Sequence, residues 1–207
     1  MPHDHNGPQS AFATSLELLR TPPPKERADA ARNRAAILDA AASLFAEHGV
    51  DAVSMDQVAA AAGVGKGTLF RRFGDKAGLA VALLDAREQA LQEGILHGPP
   101  PLGPGAPPSE RLVAFTGAYV DYVLEHLALV RMSETAAPGA RYRIGAYRFW
   151  HRHVAILLDG TPDPEHAAHA LLAPLAAEHL TALVPELGES RVRAGITRLA
   201  ERFAPGK

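Results

Sequence analysis

SMDQVAAAAGVGKGTLFRRFGDKAGL, from Ser54 to Leu79, has the pattern of two short helices joined by a tight turn. Ser54 stands three residues before Gln57. That is capping-box spacing, in which a serine hydroxyl takes a free N–H of a new helix and the glutamine side chain returns to the serine's own N–H. Val58, Ala59 and Ala62 supply the inner face of this short helix. Ala62-Gly63-Val64-Gly65 then interrupts it with a glycine able to take positive φ and one apolar residue to pin the turn. A second helix runs from Lys66 to Phe73, where Leu69 and Phe73, four apart, bury one face with Val64 beside them. Lys66, Thr68, Arg71 and Arg72 are left outside. Helix, tight turn and helix, with cations and a hydroxyl on the outer face, is the layout of a helix-turn-helix, whose second helix enters the major groove of DNA.

Before this stretch, Ile37, Leu38, Ala41, Leu44 and Phe45 follow the i, i+3, i+4, i+7 spacing of an amphipathic helix that starts near Ala28 and ends at Gly49. On the other side Asp75 caps a fourth helix, with Leu79, Leu83, Ala86 and Ala90 in one stripe, long enough to link two domains. Residues 1–24 are polar, end in three prolines and read as a disordered tail. Gly98 to Pro108 holds six prolines and three glycines among eleven residues, an irregular loop taken as an excursion within a domain. Further helices are expected at about Ser109 to Glu125, His126 to Ala136, Arg141 to Leu158, Pro164 to Val184 and Glu189 to Phe203, with Pro174 kinking the fourth of these. No strand pattern is sustained. The expectation is an all-α fold of about nine helices: the tail, a helix-turn-helix domain over 25–77, and a larger helical domain over 78–207.

The formal net charge of −2 over 207 residues argues, taken whole, against a polyanionic partner. The distribution reverses that reading, because from Val64 to Lys76 the cations Lys66, Arg71, Arg72 and Lys76 face Asp75 alone. Cysteine is absent, which excludes disulfides, thiolate metal sites and thiol catalysis and agrees with a reducing, cytoplasmic setting. Neither a secretory leader nor an apolar run of about 18 residues is present, so no membrane association is expected.

Ile37 to Gly49 (ILDAAASLFAEHG), followed in register by the stretch from Ser54 to Leu79, resembles the TetR (tetracycline repressor) family of bacterial regulators over about fifty residues. The resemblance implies a homodimer that binds a palindromic double-stranded operator, represses transcription and is released by a small-molecule effector. By position it implies that Gly65, Lys66 and Gly67 lie near bases or phosphate, that Thr68 meets phosphate, that Arg71 and Arg72 meet bases or backbone, and that Ser54 and Lys76 meet flanking phosphates. Ser54 serves equally well as a pure helix cap. Phe70 stands where the family usually has a tyrosine whose hydroxyl reaches phosphate, so one anchoring bond is missing here.

Two rival chemistries deserve weighing. Gly63 to Thr68 looks like the end of a nucleotide-binding phosphate loop, but Ala60 stands where an earlier glycine is needed and the preceding segment reads as a helix rather than a strand. A helical interaction module without DNA binding would keep the same fold. Of ten histidines, His166 with His169 and His151 with His153 invite a metal, yet neither pair has a third ligand nearby, so no metal and no cofactor are expected.

In the C-terminal part Tyr142, Phe149, Trp150 and His153 share one helix face, and Phe115, Tyr119, Tyr122 and His126 give the preceding helix a similar mix, with Met132 beyond. Rings with polar tips suit a pocket for a partly apolar molecule, or else form ordinary core. Two late stripes, Leu171, Leu175 and Leu183 on one helix and Val192, Ile196, Leu199 and Phe203 on the other, pair across a two-fold axis by the family's pattern, or else serve the chain's own core.

Overall fold

The computed structural model describes residues 24–204; the expected tail lies, save for Pro24, outside them. Over the described residues the chain is helical, with no strand. Eleven α-helices follow one another: α1 Pro24–His48, α2 Met55–Ala61, α3 Lys66–Phe73, α4 Lys76–His97, α5 Pro108–Glu125, α6 Leu127–Thr135, α7 Ala140–Arg143, α8 Gly145–Leu157, α9 Pro164–Leu172, α10 Ala177–Leu187 and α11 Glu189–Phe203.

The all-α class is as expected, with two more helices than the nine read from the sequence, because two long helices are broken. Ile144, with φ −65° and ψ 133°, separates α7 from α8. Pro174, which has no N–H for a helical ladder, sits in a 3₁₀ turn at Ala173–Leu175, after which Ala176 is extended and the axis bends by 51° into α10.

The ends of the first helices follow from their sequence. Gly49 closes α1 at φ +82°. Ser54 caps α2 with the full box, its Oγ accepting from Gln57 N at 3.2 Å while its own N–H donates to Gln57 Oε1 at 2.7 Å. Gly63, at φ +64°, makes the turn, and Val64 N donates back to Ala59 O at 3.0 Å.

Two buried clusters organise these helices. The first gathers Ile37, Ala41 and Phe45 of α1, Val58 and Ala59 of α2, Leu69 of α3 and Leu79 of α4. The second, larger, holds Leu84 and Ile95 of α4 with side chains from α5, α6 and α8 to α11, Phe115 and Trp150 among the largest. Helix α4 therefore feeds both, as its length suggested. So does α6, which buries Val130 in the second cluster and packs Leu129 and Met132 on the first. The proline-rich segment folds compactly: Leu102 packs on the second cluster, and Arg111 donates to the carbonyls of Ile95 at 3.0 Å and Leu102 at 3.4 Å.

The break before α10 is plugged by a buried ion pair. In an unbroken helix the Leu172 carbonyl would accept from Ala176 N–H, but that N–H turns to Ala173 O. The Arg141 guanidinium takes the Leu172 carbonyl at 2.9 Å instead. Glu134, ion-paired with Arg141, accepts the orphan N–H of Ala177 at 2.8 Å, the first residue of α10. Two buried backbone groups, which would cost about 1–3 kcal/mol each if left unpaired, are thus satisfied from α6 and α7.

Candidate nucleic-acid interface

Leu69, wholly buried, anchors α3 in the first cluster, with Val64 and Phe73 half-buried against it. Gly65 begins α3 with no side-chain cap, so the N–H groups of Lys66 and Gly67 have no partner within the helix. On the outer face Lys66, Gly67, Phe70, Arg71 and Arg72 are exposed and Thr68 is half-buried. Phe70, 45 % exposed, is one of the large apolar side chains left in water.

Most of the expected cations already hold partners in the chain. Lys66 pairs with Asp56 of α2, and Lys76 Nζ donates to Asp51 O at 3.1 Å. Arg72 donates to the Ala30 carbonyl, tying α3 to α1. These contacts are exposed, worth at most about 1 kcal/mol, and a phosphate can displace them cheaply. Arg71 has no hydrogen-bond partner among the described residues. With Thr68, Arg72, Ala30 and Asn33 it lines a notch of 220 Å³ between α1 and α3. Asn33 was not legible as a site residue, since nothing in the local pattern of α1 says which polar residue faces α3.

Downstream, Gly74 leaves α3 at φ +77° and Asp75 Oδ1 accepts from Gly78 N at 2.8 Å. A Cβ on Gly78 would stand 1.9 Å from the Phe73 carbonyl oxygen, so the absence of a side chain there sets how closely α3 seats on α4. The segment before Gly63 is α2, and a phosphate loop after a strand is therefore not what Gly63 to Thr68 forms.

Of the nine residues read as a pocket, five come together. Phe115 lies 5.8 Å from Tyr119 and 6.1 Å from Trp150 between ring centroids, Tyr119 lies 5.9 Å from Tyr122, and the edge of His153 meets Phe115 at 5.1 Å. These rings pack on one another as core, with Phe149 half-buried against Trp150 at their margin. Two others lie elsewhere. The break at Ile144 turns Tyr142 away from the face of α8, leaving it 55 % exposed beside Tyr147 and His169. Met132 faces the first cluster instead. His126 lies at the corner between α5 and α6, its edge on Tyr122.

His153 is 8 % exposed and its Nε2 has no hydrogen-bond partner. Burial, helped by the nearby Arg111, pushes its imidazole down to about 4 from an ordinary 6.5. The unfolded chain then takes up a proton that the folded one refuses. The resulting stability is present above pH 6.5 and drains away as pH falls towards 4, by about 2–3 kcal/mol. Urea unfolding at pH 7 and pH 4.5 checks this: His153→Phe should lose markedly less stability between the two than wild type, and equal losses would exclude a buried neutral imidazole.

The second late stripe is divided from the first. Leu171 and Leu175 are wholly buried within the chain and offer a partner nothing, because the bend at Pro174 turns them inward. Leu183, Val192, Ile196 and Leu199 line a shallow groove of 270 Å³ between α10 and α11, and Phe203 is half-buried against the second cluster. Among the described residues no three His, Asp or Glu side chains converge as a metal site, and no single helix is long and apolar enough to cross a membrane.

Comparison with known proteins bears on the segment built around α3. Residues 37–83 match the family model of bacterial regulatory proteins, tetR family. An HTH-type transcriptional regulator of Staphylococcus aureus strain USA300 is 47 % identical over 53 residues, 26 % of this chain. The match spans 29 % of that relative's length. The architecture is similar to a putative TetR-family transcriptional regulator from Rhodococcus (TM-score 0.59, 20 % identity, 84 % of this chain and 100 % of the other). It is also similar to a TetR/AcrR-family regulator from Thermobifida fusca (TM-score 0.58, 24 % identity, 81 % and 96 %). A third similar structure is NalD of Pseudomonas aeruginosa, described as the secondary repressor of the MexAB-OprM multidrug efflux pump (TM-score 0.55, 22 % identity, 83 % and 96 %). The capped α2, the glycine turn and the exposed basic α3 all lie inside the residues that match the tetR family of bacterial regulatory proteins.

Proposed function

We propose that this protein is a ligand-responsive transcriptional repressor that binds palindromic operator DNA as a homodimer in the cytoplasm and is released by a small-molecule effector. The observation that carries the reading is the outer face of α3, where Lys66, Thr68 and Arg71 stand clear of a core that Leu69 holds fixed. Residues 25–77 form the DNA-binding domain and 78–207 the effector and dimerisation domain. Lys66, Gly67 and Arg71 reach base edges or backbone, while Ser54, Thr68 and Lys76 hold phosphates. Arg72 steadies α3 on α1 before it meets DNA.

The groove between α10 and α11, apolar at Leu183, Val192, Ile196 and Leu199, is the face that supports the dimer. Reading both halves of a palindrome requires two copies of α3 about 34–36 Å apart, one turn of duplex. The rings around Trp150 pack as core, so an effector would enter by parting them, with the unpartnered His153 Nε2 as its polar anchor. The naming of NalD as a repressor supports the sign of regulation.

Binding of the purified chain to duplex DNA upstream of its own gene, across a salt series with excess nonspecific competitor, tests the reading. Arg71→Ala should weaken binding and lower the log–log salt slope by about 0.9 for one lost phosphate contact. An unchanged slope with altered base preference would make Arg71 a reader of bases instead.

A further inference from the structure

We propose that the cleft at the junction of the two clusters, between α1, α4 and the corner joining α5 to α6, is a binding site for a small apolar molecule ending in an uncharged amide. The cleft has a volume of 370 Å³, within the range of about 300–1,000 Å³ typical of small-molecule sites. Phe45 and Val50 form its wall on the α1 side, Leu83 and Leu84 the opposite wall on α4. Ala42 and Ala46 are small and exposed, which is what keeps the cleft open between them.

Arg87 of α4, Glu125 and His126 line the cleft together, with Glu125 3.8 Å from the His126 ring. Arg87 and Glu125 carry opposite charges, so a charged ligand head gains from one what it loses to the other. An uncharged amide uses both, its NH₂ donating to the Glu125 carboxylate and its oxygen accepting from the Arg87 guanidinium. The apolar body then replaces water along the walls.

Occupancy would be felt by α3, because the cleft straddles both clusters: Phe45 and Val50 belong to the first and Leu83 packs on it, while Leu84 belongs to the second. Beyond α4 itself, whose Leu79 is buried in the first cluster, that cluster is joined to the rest of the chain by Leu83, Leu129 and Met132 and by two exposed ion pairs, Arg34–Asp85 at 3.0 Å and Arg131–Asp51 at 2.9 Å. Exposed pairs resist little, so a molecule wedged beside α1 biases how the first cluster sits on α4 and α6. That consequence for DNA rests on the function proposed above; the site itself does not.

Calorimetric titration of the full chain with 1-naphthamide and with its anionic counterpart 1-naphthoate, in the absence of DNA, tests the site. The amide should bind at least about tenfold more tightly than the carboxylate. Ala46→Phe, which fills the cleft from an exposed helix position, should weaken the amide by at least about tenfold, as should Ala42→Leu, with the thermal midpoint nearly unmoved. No amide binding, equal affinity for the carboxylate, or binding indifferent to both substitutions would overturn the proposal. Because no DNA is present, a failure here leaves the DNA reading untouched, and a failure to bind DNA leaves the cleft untouched.

Discussion

Arg141→Met should destabilise the protein by about 3–5 kcal/mol, the cost of stranding a buried carboxylate without its partner. Glu134 would be the stranded group, 7 % exposed at its side chain, with only the Ala177 N–H left to it. Burial already raises its pKa above the ordinary range while Arg141 pulls it back down, so removing Arg141 raises it further. The sign of the pH dependence follows: a carboxyl whose folded pKa exceeds its unfolded one costs nothing below the unfolded value and destabilises as pH rises through the folded one. The deficit of Arg141→Met relative to wild type should therefore be smaller at pH 4 than at pH 7. Adding Glu134→Leu to Arg141→Met should recover part of the loss but not all, since the Leu172 carbonyl and Ala177 N–H stay orphaned at about 1–3 kcal/mol each. Urea unfolding of the single and double variants reads all of this. A deficit under about 1 kcal/mol at pH 7 would mean that water fills the break as well as the ion pair does.

Gly78→Ala should act on the other end of the molecule, and on α3 first. The added methyl would meet the Phe73 carbonyl at 1.9 Å, backbone that cannot rotate away, so either α3 lifts or the start of α4 shifts. Overpacking of this kind costs about 1–3 kcal/mol. Displacing the outer face of α3 should also cost at least one base or phosphate contact, about tenfold or more in DNA affinity. Gly67→Ala provides the contrast: its Cβ would meet nothing within 4 Å, and inside a helix alanine is favoured over glycine by about 1 kcal/mol. Gly67→Ala should thus be no less stable than wild type. Thermal unfolding of the pair, followed by duplex binding, separates the two; equal stability would show that the seat of α3 on α4 tolerates a side chain.

What was legible in the sequence was what neighbouring residues decide between themselves. The Ser54–Gln57 box, the turn at Gly63, the buried Leu69 and the cap at Asp75 are spacings of three or four residues, and each stands where the pattern put it. The bend at Pro174 was legible for the same reason, since a missing N–H is a property of the residue. The break at Ile144 was not, because isoleucine carries no stop signal and Gly145 beside it is only a weak one. The error at Leu171 and Leu175 has a related cause: a stripe says that a helix face is apolar, not whether this chain or another covers it. The plug that Glu134 and Arg141 make at Leu172 and Ala177, the notch beside Asn33 and the junction cleft bring together residues far apart in sequence, and periodicity carries no trace of such meetings.

The measurement that bears most directly on the central claim is the salt dependence of wild-type binding to the duplex upstream of its own gene, under excess nonspecific competitor. Binding should resist competitor, weaken steeply with salt and protect a palindrome, with the Arg71→Ala slope shallower by about 0.9. No binding even at low salt, with α3 folded and the chain stable, would contradict it and leave a helical interaction module.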